Sequence, residues 1–276
     1  MAGISLSVLQ VDDARLAGLD APTDAPAWPN PPAVTRPRPL RVTPIDIEST
    51  IPTSEFLLDF LPKTPHGQTL EVALMAATST LIAAADRLTE MDRQVGDGDL
   101  GISLSRGSQA IRGNLPKTPL DDPAGALLAI GRKLQESLGG TSGPLYAVFF
   151  LRAAAVLKTD PGRALADPKL WAEAFGAGCH GMIELGGANR GDRTMLDALL
   201  PALDALQAGL EAGDPWRTAL DEAATAAEAG AAATAAMTPR RGRSSYLGER
   251  AVGHPDPGAE AVALWIRAVS RSLKAK

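Results

Sequence analysis

Apolar residues recur every three or four positions along most of the chain. Leu70, Leu74, Ala77, Leu81, Ala84 and Leu88 share one face at this spacing, which predicts one long amphipathic helix ending near Asp92. Asp122-Pro123, Asp167-Pro168, Asp214-Pro215 and Asp256-Pro257 mark four further helix starts. Aspartate can accept hydrogen bonds from the free N–H groups of a first turn, and proline in that turn forfeits no helical bond. Helices near 100–113, 141–158 and 194–212 bring the expected number to about eight, with Gly139 and Gly186 placed as C-terminal caps. Pro201 should kink the 194–212 helix or shift its start. The alanine run Ala223 to Met237 reads as a helix that lets its neighbours approach closely.

The N-terminal region has a different pattern. Ile4, Leu6 and Val8 alternate with small neighbours and predict one short strand. Eight prolines between Pro22 and Pro44, with little apolar periodicity, predict an extended linker that proteases should cut first. The expected organisation is therefore an extended N-terminal arm, residues 1–66, followed by an all-α domain over 67–276.

Composition narrows the functions this fold could serve. A chain of 276 residues, 45% hydrophobic and 21% charged, can bury one substantial core. Its net charge of −5 gives no field for nucleic acid or anionic lipid, so an anionic ligand must be held by helix N-termini, cations or single arginines. Cys179 is the only cysteine, which excludes an intramolecular disulfide and a cysteine-built zinc site. Arg152 interrupts the most apolar stretch, Leu145 to Leu157, so no membrane span is expected. The N-terminus lacks a basic leader, and the expected compartment is the cytoplasm.

The densest chemistry lies in MDRQVGDGDLGISLSRG, residues 91–107. Asp92, Asp97 and Asp99 crowd three carboxylates into eight residues, around glycines that permit unusual backbone angles. Like charges at this density are costly without a cation, and oxygen ligands suit Mg²⁺ or Ca²⁺. A helix starting at Leu100 would add an anion site beside them. Two readings are compatible with the spacing: a Mg-nucleotide site, or a solvated acidic turn in which Asp99 caps the next helix. An EF-hand is excluded because the closing glutamate is missing.

Other turns are suggestive only in company. GGTSGPLY, 139–146, sets Thr141 and Ser142 at a helix start, although no Walker loop occurs in the chain. GDRTMLDAL, 191–199, pairs Thr194 with Asp197 in a box-like helix start. GRSSYLGER, 242–250, carries Arg243 and Arg250 in a loop, and an arginine fork can hold phosphate oxygens. His66, His180 and His254 lack metal-ligand spacing, and Trp171, Trp216 and Trp265 read as packing residues.

Taken in order, VGDGDLG, GGTSGPLY, GDRTMLDAL, GRSSYLGER and GHPDPGA resemble the L domain, or L subunit, of the dihydroxyacetone kinase family over roughly residues 68–276. The resemblance implies a barrel of eight antiparallel helices that binds ATP or ADP at one end through two Mg²⁺ ions. It places Asp92, Asp97 and Asp99 at metal-ligand positions. Leu100, Gly101, Ile102, Ser103, Thr141, Ser142, Gly186, Met195, Arg243, Asp256, Pro257 and Gly258 fall at nucleotide-contact positions, with Arg243 also facing the transferring phosphoryl group. Leu100 stands where the family commonly has histidine or threonine, leaving only its backbone N–H to serve.

SLSVLQVDDARLAGLDAPTDAPAWP, beginning at Ser5, resembles the tail of the family's K domain, which holds the keto-sugar. The implied partners are a K-type domain or subunit and a small ketose, with a homodimer formed through the K domain. Three functions follow: an ATP-dependent kinase domain, a phosphotransferase-system subunit that relays phosphate through bound ADP, or a nucleotide-sensing module without catalysis.

Overall fold

The computed structural model describes residues 12–13 and 63–274. Residues 63–274 form ten α-helices, and no strand occurs among the described residues. We number them α1 (Pro65–Ala83), α2 (Ala85–Val95), α3 (Leu100–Asn114), α4 (Pro123–Ser137), α5 (Ser142–Thr159), α6 (Pro161–Ala164), α7 (Pro168–Gly186), α8 (Leu196–Ala212), α9 (Trp216–Ala233) and α10 (Pro257–Lys274). The all-α expectation holds. The strand expected at 4–8 and the linker at 22–44 lie outside the described residues.

Eight helices pack in a circular order of neighbours: α1, α3, α4, α5, α7, α8, α9 and α10, with α10 returning to α1. Their inward faces form one apolar core that includes Leu104, Phe149, Leu157, Met182, Leu199, Val262 and Ile266, and Leu88 of α2 joins it. An apolar cavity of about 610 Å³ lies among these helices. No single helix among the described residues is long and apolar enough to cross a membrane.

The one long helix expected up to Asp92 is two, α1 and α2, bent by 58° at Ala84. No proline or glycine marks the break. Its cause is tertiary: a Cβ on Gly101 of α3 would overlap the Ala85 carbonyl oxygen, so α2 lies against the start of α3 at a distance only glycine allows. The bend turns α2, with Asp92 on its last turn, onto α3, α10 and the Arg243–Ala251 segment.

Most expected helix starts are found, with local shifts. Asp167 accepts from the Lys169 N–H at 2.9 Å, and Asp256 from the Ala259 N–H at 2.8 Å. Pro123 begins α4, although Asp122 makes no capping bond. Pro215 is itself the N-cap of α9, so that helix starts at Trp216. Asp160-Pro161, a fifth such pair, starts the short α6. Gly187, not Gly186, takes the left-handed C-cap of α7, and the left-handed residue after α4 is Gly140, not Gly139.

Pro201 lies within α8, in its second turn. Proline withholds the N–H that the Asp197 carbonyl would otherwise accept. Gly230 of α9 backs directly onto that carbonyl oxygen, where any Cβ would collide with it. Ala219, Ala223, Ala224, Ala227 and Ala231 are buried along the same face, so the alanine-rich helix does approach its neighbours closely.

Candidate functional site

Asp92 is buried on the last turn of α2, and the turn 96–99 folds back over it. Its Oδ2 accepts the Asp99 N–H at 3.0 Å and the Leu100 N–H at 3.1 Å, so Asp92 caps α3 from outside the helix. Asp99 makes no capping bond, contrary to the reading of the segment as a simple capped turn. Gly96 lies against Asp92 Oδ1, where a Cβ would fill the space the carboxylate occupies. Gly98 has φ +75°, which lets the turn reverse within two residues.

The result is convergence: Asp92, Asp97 and Asp99 each offer a carboxylate oxygen within 4.8 Å of the others. Asp97 and Asp99 are exposed, so the cluster opens to solvent on one side and is anchored on the other. Three oxygen donors at this separation fit a hard divalent cation. A guanidinium already stands in for such a charge: Arg243 pairs with Asp97 and donates to Asp99 Oδ1 at 3.0 Å. Burial pushes the Asp97 carboxyl up, but hydrogen bonding and charge from Arg243 outweigh it and the pKa is lowered. The Arg243 pKa is raised, chiefly by the hydrogen bond to Asp97.

Arg243 opens a 3₁₀ segment, Arg243–Ala251, broken by a kink at Gly248 (φ +54°), where a loop was expected. Its Nη2 would lie 2.9 Å from a Cβ at Gly140, whose φ is +63°. The arginine thus lies against the turn that leads directly into Thr141, the N-cap of α5, and Ser142, its first residue. Gly101, Ile102 and Ser103 form the first turn of α3, whose N–H groups of Gly101 and Ile102 lie outside the helical ladder. The Leu100 N–H, expected to be available to phosphate, is taken by Asp92, and the Leu100 side chain packs on the core.

A second group gathers at the start of α10. A Cβ on Gly258 would sit 3.8 Å from Met195 Cβ, so the residue preceding α8 meets the first turn of α10. Pro257, the first residue of α10, is buried. Asp256 is partly buried, and burial pushes its pKa up to about 6 against the opposing Ala259 N–H and Arg193 charge. Asp92 and Asp197 raise it further, which places Asp256 within electrostatic reach of the carboxylate cluster. Gly186 stands on Leu145 of α5 instead, and no contact joins it to the carboxylates.

Sequence reasoning missed Arg193. It is fully buried, has φ +61°, and donates through Nη2 to the His254 carbonyl at 2.8 Å and the Ala251 carbonyl at 3.3 Å. In the sequence it is one arginine in a polar turn, and neither its burial nor its backbone angle has a local signature. The Thr194–Asp197 pair was legible: Asp197 Oδ2 accepts the Thr194 N–H at 2.9 Å, and Oδ1 accepts the Gly191 N–H at 2.5 Å.

Comparison with known proteins bears on this arrangement. The DAK2 domain family model matches residues 94–271. A putative 3,4-dihydroxy-2-butanone kinase of Solanum lycopersicum is 42% identical over 284 residues, covering 100% of this chain and 47% of its own length. The ADP-binding subunit DhaL of the PEP-dependent dihydroxyacetone kinase of Escherichia coli K12 is 37% identical over 190 residues, which is 69% of this chain and 89% of that protein. The crystal structure of the C. freundii dihydroxyacetone kinase in complex with AMP-PNP and Mg²⁺ superposes with a TM-score of 0.65 at 29% identity, over 95% of this chain and 42% of that one. The chain thus spans about half the length of the first of these relatives.

Proposed function

The chain belongs to the dihydroxyacetone kinase family through its DAK2 domain, and we propose that this domain binds Mg-ATP and presents the γ-phosphate to a small ketose held by a K-type domain. The observation that carries the reading is the convergence of Asp92, Asp97 and Asp99 within 4.8 Å beneath Arg243. The AMP-PNP and Mg²⁺ of the C. freundii kinase and the ADP of the E. coli subunit support it by likeness.

In this reading the three aspartates hold two Mg²⁺ ions. The ions, when bound, neutralise phosphate charge and stabilise the charge that develops on the transferring group. The first turn of α3, with Gly101, Ile102 and Ser103, and the turn with Thr141 and Ser142 contact phosphates, while Leu100, whose N–H is held by Asp92, only shapes that turn. Gly186, Met195 and Asp256 to Gly258 contact the rest of the nucleotide. Arg243 swings from its pairing with Asp97 and Asp99 to the transferring phosphoryl group, where a guanidinium fork matches the equatorial oxygens.

The ketose hydroxyl oxygen bonds to the γ-phosphorus as the bond to the β–γ bridging oxygen breaks, and ADP leaves. The hydroxyl proton passes to a base that the K-type domain supplies. Residues 1–66 form the K-like tail and linker, the active enzyme dimerises through its K domains, and it works in the cytoplasm where ATP is supplied.

Likeness to the E. coli DhaL subunit favours a second reading, in which bound ADP is rephosphorylated in place by a phosphoprotein. One assay separates the two. Ketose phosphate formation is measured for this chain alone, with a K domain and ATP, and with both plus the phosphoprotein relay. Activity with K domain and ATP supports the kinase reading, and activity only with the relay replaces it with the second. Mg-nucleotide binding with no transfer in any arm would assign the sensing role.

A further inference from the structure

The segment that carries Arg243 is long, runs over the surface, and needs something to fix it. Its entrance is fastened to Asp192 and its exit to the next residue, Arg193. The Asp192 carbonyl accepts the Arg240 N–H at 3.1 Å, three residues before Arg243. Arg193 Nη2 donates to the Ala251 and His254 carbonyls at the far end. Asp197 closes the turn beneath both through the Gly191 and Thr194 N–H groups, and the helix that Asp197 belongs to begins directly after Met195.

We propose that Arg193 is the positioning residue of the nucleotide site, clamping the 240–256 segment so that Arg243 reaches the carboxylates and Asp256 to Gly258 lie against Met195. The inference rests on the nucleotide-binding reading above. A structural anchor for two carbonyls has no need of a guanidinium. Arg193 is fully buried, and its Nε and Nη1 have no partner among the described residues. Leaving such donors unpaired is unfavourable, as is φ +61° on a residue with a Cβ.

What the charge gains follows from its bond to the His254 carbonyl, two residues before Asp256, whose carboxylate the guanidinium favours. Arg193 thus acts on both halves of the site at once: by hydrogen bonds on the segment that aims Arg243, and by charge on the start of α10. Being fully buried, it is assigned no contact with nucleotide or acceptor.

The test compares the full chain with Arg193→Met, Arg193→Lys, Arg243→Gln and the double variant Arg193→Met/Arg243→Gln. Hydrogen exchange of residues 244–256 is measured without nucleotide, and Mg-ATP affinity by calorimetry. Arg193→Met should speed exchange in this segment about tenfold or more, leave exchange in α4 and α5 unchanged, and weaken Mg-ATP binding by about tenfold or more. Lysine can reach one carbonyl and keeps the charge, so Arg193→Lys should fall between the two.

In the Arg243→Gln background, Arg193→Met should cost much less affinity, because part of its effect passes through Arg243. Equal losses in both backgrounds would make Arg193 a general stabiliser and overturn the proposal. Unchanged exchange in 244–256 would overturn it whatever the nucleotide does. If Arg193→Met does not fold, the Arg193→Lys comparison decides by the same criteria. Failure of the unaltered chain to bind Mg-ATP, with exchange still accelerated in the variants, would instead overturn the nucleotide-binding reading and leave the clamp standing.

Discussion

Asp256 provides a test of the site that needs no ligand. Its carboxyl has an ordinary pKa of 3.8, and burial pushes it to about 6 in the fold. That difference corresponds to roughly 3 kcal/mol of preference for the neutral acid in the folded state, and partial solvent access trims the expected effect to about 1–3 kcal/mol. The direction follows from which state holds the proton. Below pH 3.8 both states are protonated and Asp256 contributes nothing. Between 3.8 and about 6 the unfolded chain loses its proton while the fold retains it, so this group lowers stability as pH rises. Above about 6 the penalty is complete.

Asp256→Asn removes the titration and keeps an oxygen to accept the Ala259 N–H. Urea unfolding of both proteins at about pH 4, 5.5 and 7.5 should show the variant gaining on the parent as pH rises. The gap should reach about 1–3 kcal/mol, or about 2–4 °C in Tm per kcal/mol. Asp97, Asp167, Asp221 and Glu228 have lowered pKa values and give the opposite trend at more acid pH, but they are common to both proteins and cancel in the comparison. Parallel profiles across the whole range would refute the idea that Asp256 is held in an environment hostile to its charge.

Three further outcomes are expected. Asp97→Asn and Asp99→Asn should each weaken Mg-ATP binding at least about tenfold in calorimetry with helical circular dichroism unchanged, because both side chains are exposed and support no core. Gly101→Ala should lower stability by about 1–3 kcal/mol in urea titration, since its methyl group would overlap the Ala85 carbonyl oxygen and force α2 and α3 apart. Cys179, buried and with its thiol pushed up to about 12, should resist iodoacetamide at about pH 8 in the folded protein and react on unfolding, as followed by intact mass.

The fold class was legible because helical periodicity and the proline-marked starts are local properties, and tertiary packing reinforced them from α3 onward. The carboxylate cluster was legible for the same reason: Asp92, Asp97 and Asp99 lie within eight residues, so a single turn brings them together. That Asp92 rather than Asp99 caps α3 was not legible, since either carboxylate could reach the same N–H groups until the bend at Ala84 fixed the angle of α2. The bend itself has no breaker residue and comes from the approach of Gly101 to Ala85, which are sixteen positions apart.

The pairing of Arg243 with a cluster 144 positions earlier, and the burial of Arg193 under the carbonyls of residues 251 and 254, depend on how α8, α9 and α10 close the ring. The sequence by itself determined the helices, the acidic turn and the residues available for chemistry, because these follow from spacing along the chain. Which of those residues meet, and which charge is paid for in desolvation to hold them there, only the tertiary structure decided, because contacts between distant segments are set by how whole helices pack.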